Sequence, residues 1–328
     1  MTTLLDRIDA GPATATTPAP TPAQRLRATM AAARVAFTWM GTTKTLTAGQ
    51  IALAAGTFDA EARSLSAGKK LLDVRHPAFR AVTAVRGMIG AYWKGISLPY
   101  PEPGVRLIRQ DKVEEFAAMM ADYRGELADA VANLDRHYGE LKRAAAERLG
   151  SLYDHADYPE SLVGLFDVEW DFPSSEPPDY LKLLCPAVYR QERDRVAARF
   201  DEAVQLAESA FLMEFAKLVS HLCERIDGAG DDGQPRVFRD TAVENLSEFF
   251  GRFRELNVGS SEQLDELVDR AQRAVRGVAA QDLRDNGDLR RQVVAQLSGV
   301  QSALDGMLVE RPRRRILRQA AAPRPGEA

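Results

Sequence analysis

With 328 residues the chain is long enough for two ordinary domains, or for one elongated helical body with appendages. Its 45% hydrophobic and 27% charged residues exclude a disordered chain, and a formal charge of −4 excludes a global field for nucleic acid or an anionic membrane. Cys185 and Cys223 are too few and too far apart for a disulfide framework or a zinc knuckle, and read as small core residues in a reducing compartment. No basic segment followed by an apolar run opens the sequence, and no stretch approaches the roughly 18 uninterrupted apolar residues of a membrane span. A cytoplasmic protein is the expectation.

Residues 1–20, rich in Thr, Pro and Ala, neither continue a helix nor bury a face and read as a disordered arm. Residues 21–94 form an N-terminal helical region. Thr21-Pro22 is an N-cap with proline at the first helical position, and it predicts a helix carrying Leu26, Met30, Phe37 and Met40 as far as Gly41. A short helix follows from Thr47, and Pro77 opens another with Phe79, Val82, Val85, Ile89 and Tyr92 at helical spacing.

Residues 95–227 carry the organising feature. Ile96 to Ile108 holds two short β-favouring runs around Pro99, Pro101, Pro103 and Gly104, which predicts a hairpin. From Gln110 to Leu149 apolar residues recur every three or four positions, predicting one helix of about 60 Å at 1.5 Å per residue. Pro186 opens a second helix of matching length to Ile226. A stripe that long needs a partner stripe, so the expected fold is mainly α: a long antiparallel, coiled-coil-like helical hairpin with a small β-hairpin or sheet element and a C-terminal helical bundle. The same stripes serve a homodimer equally well. Between the two helices, Phe166 to Phe172 alternates apolar and acidic residues as a strand does.

Glycines 228, 230 and 233 turn the chain, and residues 228–308 hold three shorter amphipathic helices: Val243 to Phe253, Leu264 to Val275, and Leu289 to Leu304. Residues 309–328 form a basic, loosely ordered tail. Its Arg311, Arg313, Arg314, Arg315 and Arg318 are the sites for contact with nucleic-acid phosphates or a partner. A solvated tail, or one paired with acidic faces of the same bundle, is the competing reading. No aromatic residue interleaves the arginines, so base stacking has no support.

Catalytic motifs do not emerge. Gly68-Lys69 fails as a phosphate loop, since Arg63 stands at the first glycine position and Lys70 at the Ser/Thr position. The acidic turn from Asp227 to Gly233 fails as a calcium loop, because Ala229 and Phe238 replace ligands. His76, His137, His155 and His221 lack an i, i+4 histidine partner. Only Asp154-His155-Ala156-Asp157 sets a histidine among carboxylates. It reads as a helix terminus first and as a weak metal or acid–base site second. No catalytic residue, metal ligand or cofactor site is assigned, and a non-enzymatic protein is expected.

The block from Trp93-Lys94-Gly95-Ile96 to Tyr100, then Gly104 to Ile108, Val113-Glu114-Glu115-Phe116, Asp157-Tyr158-Pro159 and the strand Phe166 to Phe172 resembles an uncharacterised family of bacterial and phage proteins known only as a domain of unknown function. The likeness spans Ala78 to Leu308. It implies a helical-hairpin protein without assigned activity, some members being encoded near MoxR-type AAA+ ATPases and von Willebrand A-domain proteins. The expected function is a scaffold or adaptor for a protein partner, such as an AAA+ ATPase system of mobile-element or phage-like origin. The alternative is a nucleic-acid-associated protein acting through the arginine tail.

Overall fold

The computed structural model describes residues 19–227 and 241–310. The acidic turn, the arginine tail and all but the end of the N-terminal arm lie outside them. The fold is mainly helical, with a small antiparallel sheet that the helices sandwich.

Helix α1 (Pro22–Thr29) begins as expected: Thr21 and Gln24 form a reciprocal capping box and Pro22 fills the first turn. It does not run to Gly41. At Met30 the chain straightens into β1 (Met30–Trp39). The spacing of Leu26, Met30 and Phe37 suggested a helix, but Val35, Phe37, Thr38 and Trp39 favour a pleated strand. Tertiary pairing then decides the outcome, because β1 is the strand on which the sheet is built.

After β2 (Thr43–Thr45), Thr47 caps α2 (Ala48–Thr57), and β3 (Gly68–Lys70) pairs back on β2. Helix α3 (Pro77–Gly95) starts with Pro77 in its first turn, as expected. The hairpin also forms, with β4 (Ser97–Pro99) paired to β5 (Val105–Arg109) and Gly104 taking φ +76° in the turn. Strand β6 (Phe166–Asp171) joins it through β1, giving the order β4-β5-β1-β6.

Strand β1 divides its pairing between two neighbours. Met30 to Arg34 face β5, Arg34 to Trp39 face β6, and Arg34 belongs to both ladders. Because side chains alternate along a strand, Met30 and Ala32 enter one core with Val105 and Leu107, while Ala33 and Val35 enter another with Ile108 and Val168.

The predicted 40-residue helix is broken at His137 into α4 (Val113–Arg136) and α5 (Tyr138–Leu149). The His137 N–H tightens to the Leu134 carbonyl at 3.0 Å, and Asp135 turns aside to accept from the Leu162 N–H at 2.7 Å. After α6 (Tyr180–Leu184), α7 (Pro186–Asp227) runs unbroken for 42 residues, as the sequence indicated.

The two long stripes do not cover each other as a hairpin would. Phe116, Met120, Leu127, Val131 and Leu134 of α4 are buried with α3 and one face of the sheet. Val196, Phe200, Phe211, Phe215 and Leu222 of α7 are buried with the opposite face and the C-terminal helices α8 (Thr241–Leu256), α9 (Glu262–Val275) and α11 (Gly287–Glu310). Short α10 (Ala280–Asp285) precedes α11. An apolar stripe specifies that a partner is needed, not which one, and here nearer elements supply it. Helices α7 and α8 run antiparallel, since Phe211 meets Phe253 while Phe215 meets Phe249.

Candidate interaction surface

Where the sequence placed its weak metal or acid–base cluster, the structure shows a buried ion cluster of another kind. Asp154 accepts from the Ala156 N–H at 3.0 Å, capping a short 3-10 turn, and His155 is exposed. Asp157 points inward with its side chain only 1% exposed and lies between Lys44 and Lys69 of the β2–β3 pair. Lys69 Nζ sits 2.5 Å from Asp157 Oδ2 and donates to the Leu152 carbonyl at 2.7 Å. The Lys69 approach is a charge contact without hydrogen-bond alignment, so Oδ2 carries no aligned donor. A carboxylate between two ammonium groups is a tie holding β2–β3 to the 3-10 turn. No group of three or more His, Cys, Asp or Glu side chains is gathered to hold a metal among the described residues.

The hydrogen bond from Lys44, and then the close ammonium of Lys69, hold the Asp157 carboxyl below its ordinary value of 3.8. A depressed acid contributes stability that is complete above the unfolded value and lost as pH falls below it, through the folded one. Asp167, held by Arg124, and Glu176, held by Arg27, have the same sign. Urea unfolding at pH 5 and pH 3 is expected to show a smaller loss for Asp157→Asn than for wild type. Equal losses would show that the cluster does not contribute to acid sensitivity.

Two surface clefts among the described residues carry charged side chains that are already engaged within the chain. One of about 670 Å³ lies between α1, β5 and the α8–α9 turn, where Arg25 donates to the Gly259 carbonyl and Arg109 makes a two-pronged bond to Asp111. A smaller one, on the open half of the sheet, is lined by Arg34, Arg124, Glu169, Trp170 and Asp171. Arg34 there lies 3.7 Å from Asp171, and Arg124 grips Asp167.

The chain presents apolar surface at the approach to α7. Pro177 is buried and Glu176 binds Arg27 of α1 in a two-pronged pair, which fixes the loop leaving β6. Helix α6 then places Tyr180, Leu183 and Leu184 on one side by its i, i+3, i+4 spacing. Beyond the non-helical Cys185, Pro186 is a good first residue for α7, and Val188 in its first turn is exposed as well. The exposures of Tyr180, Leu183, Leu184 and Val188 are 60%, 88%, 78% and 40%. The inner side is packed: Leu181 and Tyr189 are half-buried, the Cys185 N–H reaches the Leu181 carbonyl at 2.9 Å, and Lys182 lies over the Tyr189 ring at 5.1 Å.

Val196 is the first buried residue of α7, so the helix runs ahead of the core for ten residues, about 15 Å. Helix α6 and this overhang form a hook. No other stretch of nine described residues exposes four large apolar side chains. Single exposed apolar residues are ordinary, whereas a contiguous group marks a contact surface. In the sequence this segment belongs to the connector between the two long helices, although Tyr180-Leu181-Lys182-Leu183-Leu184 ahead of Pro186 carries helical apolar spacing.

Arg311, Arg313, Arg314, Arg315 and Arg318 lie outside the described residues. Among the described ones, no helix is long and apolar enough to cross a membrane. No protein-family model matches the chain, and neither does any curated protein or solved structure.

Proposed function

We propose that this chain is a non-enzymatic scaffold or adaptor that acts through protein–protein contact, with the hook as its contact surface. The observation that carries the reading is the exposure of Tyr180, Leu183 and Leu184 on one side of α6, with Val188 exposed just beyond it. The helical part of the hook is held by its own inner packing and by the Arg27–Glu176 tie, so docking on it carries a small ordering cost. The resemblance to the uncharacterised bacterial and phage family suggests an AAA+ ATPase system as the setting in which such an adaptor works.

The test is Leu183→Glu combined with Leu184→Glu. Both side chains face solvent, so the stability of the chain is expected to stay within about 0.5 kcal/mol of wild type. Self-association, or capture of partner proteins from the native host, is expected to be lost. If every association made by the wild type survives the double substitution, the hook is not the contact surface.

A further inference from the structure

We propose that the β2–α2–β3 lobe, Thr43 to Lys70, is a lid that swings open as one body about a narrow neck and that Asp157 clasps shut. The lid and the hook are built from different segments of the chain.

The two apolar cores stop short of the lobe. Its strands β2 and β3 pair with each other and take no place in the four-stranded sheet. Helix α2 carries no charged residue, yet Ala55 is its one buried side chain, while Leu53 and Phe58 lie open to solvent. Ala55 belongs to neither core, and the half-buried Leu46, Ile51 and Leu65 pack on neither. Core residues resume only at Leu71 and Leu72. A segment so poor in buried apolar contact with the body belongs to the low-stability end of a fold, where opening occurs without the rest unfolding.

The chain enters and leaves the lobe side by side. The Leu71 N–H donates to the Thr42 carbonyl at 2.8 Å, so the two stems make one hinge rather than two separate anchors. Beyond this neck, the hydrogen bonds and ion pairs from the lobe to the rest of the described chain come from Lys44 and Lys69 alone. Both reach Asp157, and Lys69 also donates to the Leu152 carbonyl at 2.7 Å. Hydration of separated ions offsets much of the attraction lost between them, so a clasp of buried charges holds less firmly than an apolar core. Removing the carboxylate alone is different, because Lys69 is then uncompensated while the lid is shut and hydrated once it opens. Opening bares Lys69, the Asp157 carboxylate and the Leu152 carbonyl together, a polar surface that is sealed in the closed form.

Acetylation of the full chain by an amine-reactive ester at neutral pH, read by mass spectrometry at urea concentrations below the unfolding midpoint, tests the proposal. Exposed Lys70 is expected to react at once and buried Lys69 slowly, at a rate that urea leaves nearly unchanged, since opening the lid exposes little surface. Cys223, buried in the other core, reports global unfolding, and its reaction with a maleimide is expected to rise steeply with urea. Asp157→Asn is expected to speed Lys69 labelling about a hundredfold, still without dependence on urea. Lys69 labelling that climbs with urea as Cys223 labelling does would mean that the lobe opens only when the whole molecule unfolds, and overturns the proposal. The wild-type comparison alone decides this, however well the variant folds. A folded Asp157→Asn chain in which Lys69 reacts no faster, or a wild type in which Lys69 reacts as fast as Lys70, overturns the clasp.

Discussion

Phe215→Ala is expected to cost about 4 kcal/mol, a large part of the roughly 5–15 kcal/mol by which native folds are stable. Phe215 has no exposed surface and lies stacked on Phe249, with ring centroids 5.1 Å apart and planes 6° from parallel. Phe250 meets its edge at 6.2 Å, and Phe211 and Phe253 complete the cluster. Truncation removes the transfer free energy of a ring and leaves a cavity among aromatic neighbours too rigid to collapse into it. Chemical denaturation should show a lower midpoint at unchanged slope. Phe215→Leu, which keeps more of the volume, is expected to lose less than half as much. A loss below about 1.5 kcal/mol for the alanine variant would mean that α7 and α8 do not share this core.

The second large effect belongs to the ion cluster. Asp157→Ala is expected to cost about 3 kcal/mol, because it leaves the Lys69 ammonium, 6% exposed, inside the protein with only the Leu152 carbonyl to hold it. Lys44 matters less. Its side chain is more than half exposed, so water takes over when the carboxylate is lost. Replacing both buried partners, Lys69→Met with Asp157→Leu, is expected to recover most of the loss, since a well-packed apolar pair has no charge left to desolvate. The double variant therefore separates a desolvated charge from lost packing. If it is as unstable as Asp157→Ala, the cost lies in shape rather than charge.

Much of the helical content was legible because its signals are local. Thr21-Pro22, Thr47, Pro77 and Pro186 each mark a helix start that the structure reproduces. Gly104 marks the hairpin turn in the same way. What escaped depends on contacts distant in sequence. Strand β1 lies behind Ala31, Ala32 and Ala33, residues at home in a helix, and its strand state follows from β5 and β6 on either side. No proline marks the break at His137, which is held by hydrogen bonding around Leu134, Asp135 and Leu162. The partners of the two long stripes were misassigned because α3 and the sheet, and α8, α9 and α11, compete for the same apolar faces. The Asp154 to Asp157 segment was noticed for its carboxylates, but Lys44 and Lys69 come from far earlier in the chain, and no spacing rule joins them to it. The hook was within reach of sequence reading, since α6 has helical apolar spacing, but its exposure is a tertiary fact.

Placing β1 at the centre of the sheet also governs the order in which the molecule can be assembled. The strand leaves the ribosome well before either neighbour: β5 must bring Arg109 back to Met30, and β6 must bring Phe166 back to Trp39. Until then both long edges of a strand ending Arg34-Val35-Ala36-Phe37-Thr38-Trp39 stand open, the condition in which nascent chains pair with the wrong neighbour. Closure of the sheet waits for residue 171, after α3, α4 and α5 have been made. Those helices share a core with one face of β1 and can shelter it while its edges are still unpaired. The arrival of β6 is therefore expected to be a late step of folding, and a chain cut short of it to retain helices around an unfinished sheet.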